Sequence, residues 1–157
     1  MIYLLADFRI NLIMVGDQGV GKSLFGSQCG LYRYNGDEKN QISDEEWWIR
    51  RLKVCGNPIV TVFCDPLNSP PGYTLRRAYY GRAHIIFFLF DITQTETFSS
   101  IPQWIEEAAP KVRNDPLKVL IGNKVDACQR AISREDAERL ARDHNILYVE
   151  TSSKDRI

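Results

Sequence analysis

The sequence has no surplus charge of either sign. Lys and Arg number 20, Asp and Glu number 20, and the formal net charge is zero. General electrostatic binding to nucleic acid or to an anionic membrane is therefore not expected, which leaves room only for a local basic patch. Long apolar runs are missing too. The longest strongly apolar stretch, Ile85 to Phe90, falls far short of the roughly 20 residues that a membrane-spanning helix needs. Cys29, Cys55, Cys64 and Cys128 are the cysteines, with no C-x-x-C pair and no zinc spacing among them. They read as reduced thiols of a cytoplasmic protein. The apolar start, Met1 to Ala6, is interrupted by Asp7 and Arg9 and has no basic residue before it, so it does not read as a secretory signal. Histidine is scarce. His84 and His144 have no catalytic partner in sequence and read as structural or exposed. The chain has no internal repeat and no low-complexity segment.

What is present suits one domain: 157 residues with an ordinary apolar content of 44%. Apolar runs alternate with helical stretches, the mark of an α/β fold. Strands are predicted at Ile10–Val15, Trp47–Val54, Ile59–Cys64, Ile85–Phe90, Leu117–Ile121 and Ile146–Val149. The second and third flank Gly56-Asn57-Pro58, a turn that would pair them antiparallel. Helices are predicted at Ser23 to about Leu31, at Thr95–Ala109 with an interruption at Pro102, and from Ser133, which opens the capping box Ser133-x-x-Asp136. Six strands result, mostly parallel and doubly wound, with one antiparallel edge strand. Such sheets bind ligands at the carboxyl ends of their strands. A crossover helix would normally follow the last strand. It is absent before Ile157, so either the helix is missing by truncation or a longer chain supplies it, and a contact covering an open apolar sheet face is expected if neither holds.

Gly16-Asp17-Gln18-Gly19-Val20-Gly21-Lys22-Ser23 matches G-x-x-x-x-G-K-[ST] between a predicted strand and a predicted helix. Backbone N–H groups of such a loop point at phosphate oxygens. Lys22 is expected to reach the β- and γ-phosphates, and Ser23 to give its hydroxyl to Mg²⁺, which takes few protein ligands beside phosphate oxygens. Asn123-Lys124-Val125-Asp126 follows the predicted strand Leu117–Ile121. A carboxylate such as Asp126 accepts two hydrogen bonds from guanine that adenine cannot supply. N-K-x-D is a weak pattern alone and a strong one about 100 residues after a phosphate loop. Glu150-Thr151-Ser152-Ser153-Lys154 follows the last strand, where a backbone N–H can meet the guanine O6.

With these motifs the chain resembles the Ras-superfamily small GTPases, and the Rab branch most. Ala78-Tyr79-Tyr80-Gly81-Arg82-Ala83-His84 and Phe90-Asp91-Ile92-Thr93 also look like Rab sequence. The resemblance covers nearly the whole chain and implies one G domain over residues 1–157, GTP and GDP as ligands with Mg²⁺, and GTP hydrolysis. It implies nucleotide contacts from Asp17 to Ser23, from Asn123, Lys124 and Asp126, and from Ser152, Ser153 and Lys154. Tyr34 matches the aromatic residue that stacks on the base, with Tyr32 as a rival. Trp47, Cys64 and Tyr79 match the patch through which Rab proteins meet effectors, although Cys64 replaces a tryptophan. Vesicle-trafficking-type regulation and protein effectors follow from the same resemblance. Peripheral membrane attachment would need a lipidated extension, since Asp155-Arg156-Ile157 carries no prenylation cysteine.

The γ-phosphate end departs from the family. Asp65 stands where the family's aspartate holds Mg²⁺ through a water. Then come Pro66-Leu67-Asn68-Ser69-Pro70-Pro71. Asn68 replaces a glycine that senses the γ-phosphate, and Ser69 replaces the glutamine that orients the attacking water. Serine is about two bonds shorter, too short to hold that water. The prolines fix φ and remove N–H donors from a segment that normally reorders with the nucleotide. In the other switch, counting places Gln41 or Ile42 at the Mg²⁺-binding threonine, and Ser43 could substitute if the loop shifts. The acidic residues around it read as a solvated loop. Gln18 adds bulk near the γ-phosphate. Slow hydrolysis is expected; the alternative is a pseudo-GTPase scaffold whose nucleotide, if any, is structural.

Overall fold

The computed structural model describes residues 8–29, 32–33, 46–65, 80–112 and 115–155, with the backbone alone at 32–33, 46–49 and 63–65. Its strands are β1 (Phe8–Val15), β2 (Tyr32–Arg33), β3 (Glu46–Val54), β4 (Asn57–Asp65), β5 (Ile85–Asp91), β6 (Leu117–Asn123) and β7 (Leu147–Thr151). They form one sheet in the order β2-β3-β4-β1-β5-β6-β7. Strand β1 is central and runs parallel to β4 and β5, and β5, β6 and β7 continue in parallel. Only β3 opposes the others, pairing antiparallel with β4 and with the two-residue β2. All six predicted strands are present, and β2 adds a short edge outside β3.

The β3–β4 turn lies one to two residues earlier than Gly56-Asn57-Pro58. Val54 pairs with Asn57, so Cys55 and Gly56 form the turn, at φ 50° and 87°. Two positive φ values in a two-residue hairpin match the right-handed twist of the strands. Gly56 supplies one at no steric cost, and Cys55 bears the strain of the other.

Alternation gives the sheet two apolar faces. Leu12, Met14, Leu89, Val119 and Ile121 line one, where Phe25 of α1 (Lys22–Gln28) and Cys29 just after it pack. Ile13, Val15, Ile86, Phe88, Phe90 and Leu120 line the other. There α3 (Ile101–Ala108) and α4 (Arg134–Asp143) pack. The predicted Thr95–Ala109 helix is broken in two: α2 (Thr95–Ser99) ends before Ser100, and Pro102 sits in the first turn of α3. A proline there lacks only an N–H that no helical carbonyl would have used. Ile101, Trp104, Ile105 and Ala108 of α3 then recur at helical spacing and pack on the core. Ser133 caps α4 by accepting the Asp136 amide at 3.0 Å.

On the α1 face, Leu117, Leu147 and Val149 remain 49%, 57% and 47% exposed. They continue the rows of Val119 and Ile121 across β6 and β7. No helix among the described residues is long and apolar enough to cross a membrane.

Candidate functional site

The phosphate-loop motif begins where β1 ends. Gly16 has φ 146°, and a Cβ added there would lie 2.2 Å from the Leu89 carbonyl oxygen. Only glycine lets the loop rest against β5. Gly21, at φ 99°, caps α1, and its added Cβ would meet the Asn123 amide nitrogen at 2.4 Å. Val20 is fully buried, while Gln18 and Gly19 are exposed. Lys22 arches back over the loop, its Nζ donating to the carbonyls of Gly16 at 2.9 Å and Asp17 at 3.0 Å. The side chain of Asp17 is held from α3, where Trp104 Nε1 donates to its Oδ1 at 2.9 Å. Ser23 is exposed in the first turn of α1.

The second motif follows β6. Asn123 is buried and joins three segments: its Nδ2 donates to the Val20 carbonyl at 2.8 Å, and its Oδ1 accepts from the Ser153 amide at 3.1 Å and hydroxyl at 2.9 Å. Phosphate loop, base motif and post-β7 loop are therefore one bonded unit. Lys124, at φ 70°, places its Nζ 2.6 Å from Asp91 Oδ2. Asp91 is buried at the end of β5, and its Oδ1 accepts from the Thr93 amide at 2.9 Å and hydroxyl at 2.7 Å. Burial pushes the Asp91 carboxyl up, and the bonds from Lys124 and Thr93 more than offset this, leaving it below the ordinary carboxylate value.

Asp126 borders this unit, with its side chain 14% exposed. Ser152 Oγ donates to its Oδ1 at 2.6 Å and keeps the carboxyl below its ordinary value, while Lys154 Nζ lies 4.0 Å from Oδ2. Behind it, Arg130 grips Glu150 with two bonds of 2.8 and 3.0 Å, and Tyr148 donates to Glu150 at 2.8 Å. The Val125 amide donates to the Thr151 carbonyl at 3.2 Å. These bonds fix the base motif against the end of β7.

Thus Asp17 to Ser23, Asn123, Lys124, Asp126 and Ser152 to Lys154 gather at the carboxyl ends of β1, β5, β6 and β7. The hydroxyls of Ser152 and Ser153 are engaged with Asp126 and Asn123. Asp65 is the last residue of β4, beside β1. The Ser23 hydroxyl is exposed and is a hard oxygen donor of the kind Mg²⁺ accepts alongside phosphate. Tyr34, Ser43, Asn68, Ser69 and Tyr79 lie outside the described residues, and Trp47 and Asp65 are described by backbone only. Sequence reasoning missed the Trp104–Asp17 and Asp91–Lys124 pairs. Phe90-Asp91-Ile92-Thr93 carries the family resemblance, but nothing local points Asp91 at Lys124.

Residues 11–157 match the sequence profile of the Ras family. The chain belongs to the Ras family. It is 31% identical over 153 residues to Ras-related protein Rab-10 of Caenorhabditis elegans, covering 94% of this chain and 74% of that one. Ras-related protein Rab-26 of Bos taurus is 32% identical over 163 residues, 94% of this chain and 58% of that one. Ras-related protein RABD2a of Arabidopsis thaliana is 33% identical over 154 residues, 95% of this chain and 73% of that one. By these likenesses it is a Rab-like small GTPase of the Ras superfamily. In this Rab-like chain the family's two nucleotide motifs are bonded to each other through Asn123.

Proposed function

We propose that this chain binds GTP and GDP with Mg²⁺ and hydrolyses GTP slowly, in regulation of the vesicle-trafficking type. The observation that carries the reading is Asn123, which ties the phosphate loop to the base loop and to the segment whose Ser152 hydroxyl holds the Asp126 carboxylate. Guanine would meet Asp126, the phosphates would meet the Gly16–Ser23 amides and Lys22, and Mg²⁺ would meet Ser23 and, through water, Asp65. Lys22 now satisfies its charge on loop carbonyls, and phosphate oxygens would replace them as stronger, charged acceptors. Effectors and regulators would dock on the switch segments and the Trp47/Tyr79 patch.

Slow hydrolysis rests on Ser69 standing where the family's glutamine orients water. Loss of that positioning costs several orders of magnitude in phosphoryl transfer. The same departure supports the second reading, a scaffold with structural or no nucleotide. A single-turnover assay separates them: γ-phosphate release above the uncatalysed background supports the slow GTPase, and release at background supports the scaffold. Asp126→Ala is expected to reduce the preference for GDP over ADP by about 10³-fold or more, because adenine no longer faces an unpaired carboxylate. Unchanged selectivity in competition binding would place the base elsewhere.

A further inference from the structure

A carboxylate in a phosphate-binding loop is an electrostatic liability, since it repels the anion that the loop exists to hold. Asp17 is such a group. Its main-chain carbonyl accepts from Lys22 at 3.0 Å, and its side-chain Oδ1 accepts from Trp104 Nε1 at 2.9 Å. The donor comes from 87 residues away, on a helix outside the motif. Trp104 shares the apolar stripe of α3 with Ile101, Ile105 and Ala108, and it packs against the core cluster. The indole therefore presents its N–H from a rigid platform. Its one donor is neutral, so it fixes the carboxylate without cancelling its charge. The bond directs the Asp17 side chain toward α3 while the loop's backbone keeps its shape.

We propose that Trp104 is a positioning residue for the phosphate loop, acting through Asp17 to hold the loop in its anion-binding form. The role rests on reading Gly16–Ser23 as a phosphate site. Nucleotide retention thereby comes to depend on α3, which the sequence motif does not include.

The test is a double-mutant cycle of W104F and D17A on GDP release, measured by chasing a fluorescent GDP from the Mg²⁺-loaded protein, with thermal unfolding recorded alongside. W104F keeps the ring and removes the donor. It is expected to speed release about fivefold to tenfold, the scale of one ordinary net hydrogen bond. In the D17A background the same change should alter release less than about twofold, because the acceptor is gone. Equal effects of W104F in both backgrounds would overturn the proposal, since Trp104 would then act through packing alone. So would unchanged release in W104F.

Hydrogen exchange over residues 16–23 of the nucleotide-free protein provides a second readout, independent of nucleotide and of how W104F folds. D17A is expected to raise exchange there about threefold or more, and D17N, which retains an acceptor for the indole, to restore it. No rise in D17A, or no rescue in D17N, would sink the proposal. If wild-type protein fails to bind GDP while exchange behaves as expected, the proposed function falls and the Trp104–Asp17 link stands.

Discussion

Asn123 carries more of the site than its place in a four-residue motif suggests. Its amide supplies the donor and the acceptor that close the phosphate loop onto the base loop. Replacing it by alanine strands the Val20 carbonyl and the Ser153 groups away from water. Asn123→Ala is expected to cost about 2–4 kcal/mol, from more than one buried group left unpaired. Urea unfolding checks it, and a loss below about 1 kcal/mol would mean that water replaces the amide. Gly16 is a backbone constraint of another kind. Gly16→Ala forces a Cβ into the Leu89 carbonyl at a φ that alanine avoids. The loop must shift, and a loss of about 2 kcal/mol or more is expected in the same assay.

Among the elements, the ends of the strands matter more than their middles. Strand β5 delivers Asp91, β6 delivers Asn123, and β7 delivers the Ser152–Lys154 loop, because parallel strands end on the same side of the sheet. The outer strands leave apolar surface behind. Leu147 and Val149 are half-exposed, so they contribute less than buried residues of their size. Leu147→Thr combined with Val149→Thr is expected to cost less than about 1 kcal/mol by urea unfolding and to lower light scattering on concentration. A loss above about 3 kcal/mol would show that these side chains are covered in solution. Strand positions were legible in the sequence because Ile85–Phe90 is an unbroken apolar run and Leu117–Ile121 is interrupted only by Lys118. The helix break at Pro102 was legible for a local reason, the missing N–H. The hairpin turn was misplaced because Asn57 and Pro58 look like turn residues, whereas register put Cys55 and Gly56 there.

For the molecule as a whole, carboxylates tie distant segments together, and this sets the response to acid. Arg130 first, with Tyr148, holds Glu150 below its ordinary value of 4.5. Ser133 first holds Asp136 below 3.8, and Asp91 ends below 3.8 as well. A carboxyl whose folded pKa lies below its unfolded value stabilises the fold above the unfolded value, and that contribution is lost as pH falls. Unfolding free energy is therefore expected to be flat from about pH 7 to 5 and to decline below about pH 4.5. Glu150→Gln should flatten the decline, because the Glu150 proton no longer couples to folding. Stability that rises as pH drops through that window would contradict this.

Taken alone, the sequence determined the strand-and-helix alternation and both short motifs, Gly16–Ser23 and Asn123–Asp126. Those features are local: periodicity, proline chemistry and short motifs depend on neighbours along the chain. The tertiary structure alone decided that Asn123 meets Val20 across 103 residues, that Trp104 meets Asp17 across 87, and that Asp91 meets Lys124. Such pairs depend on which strands lie side by side and where each ends. That is settled by the packing of the whole sheet, which no window of sequence contains.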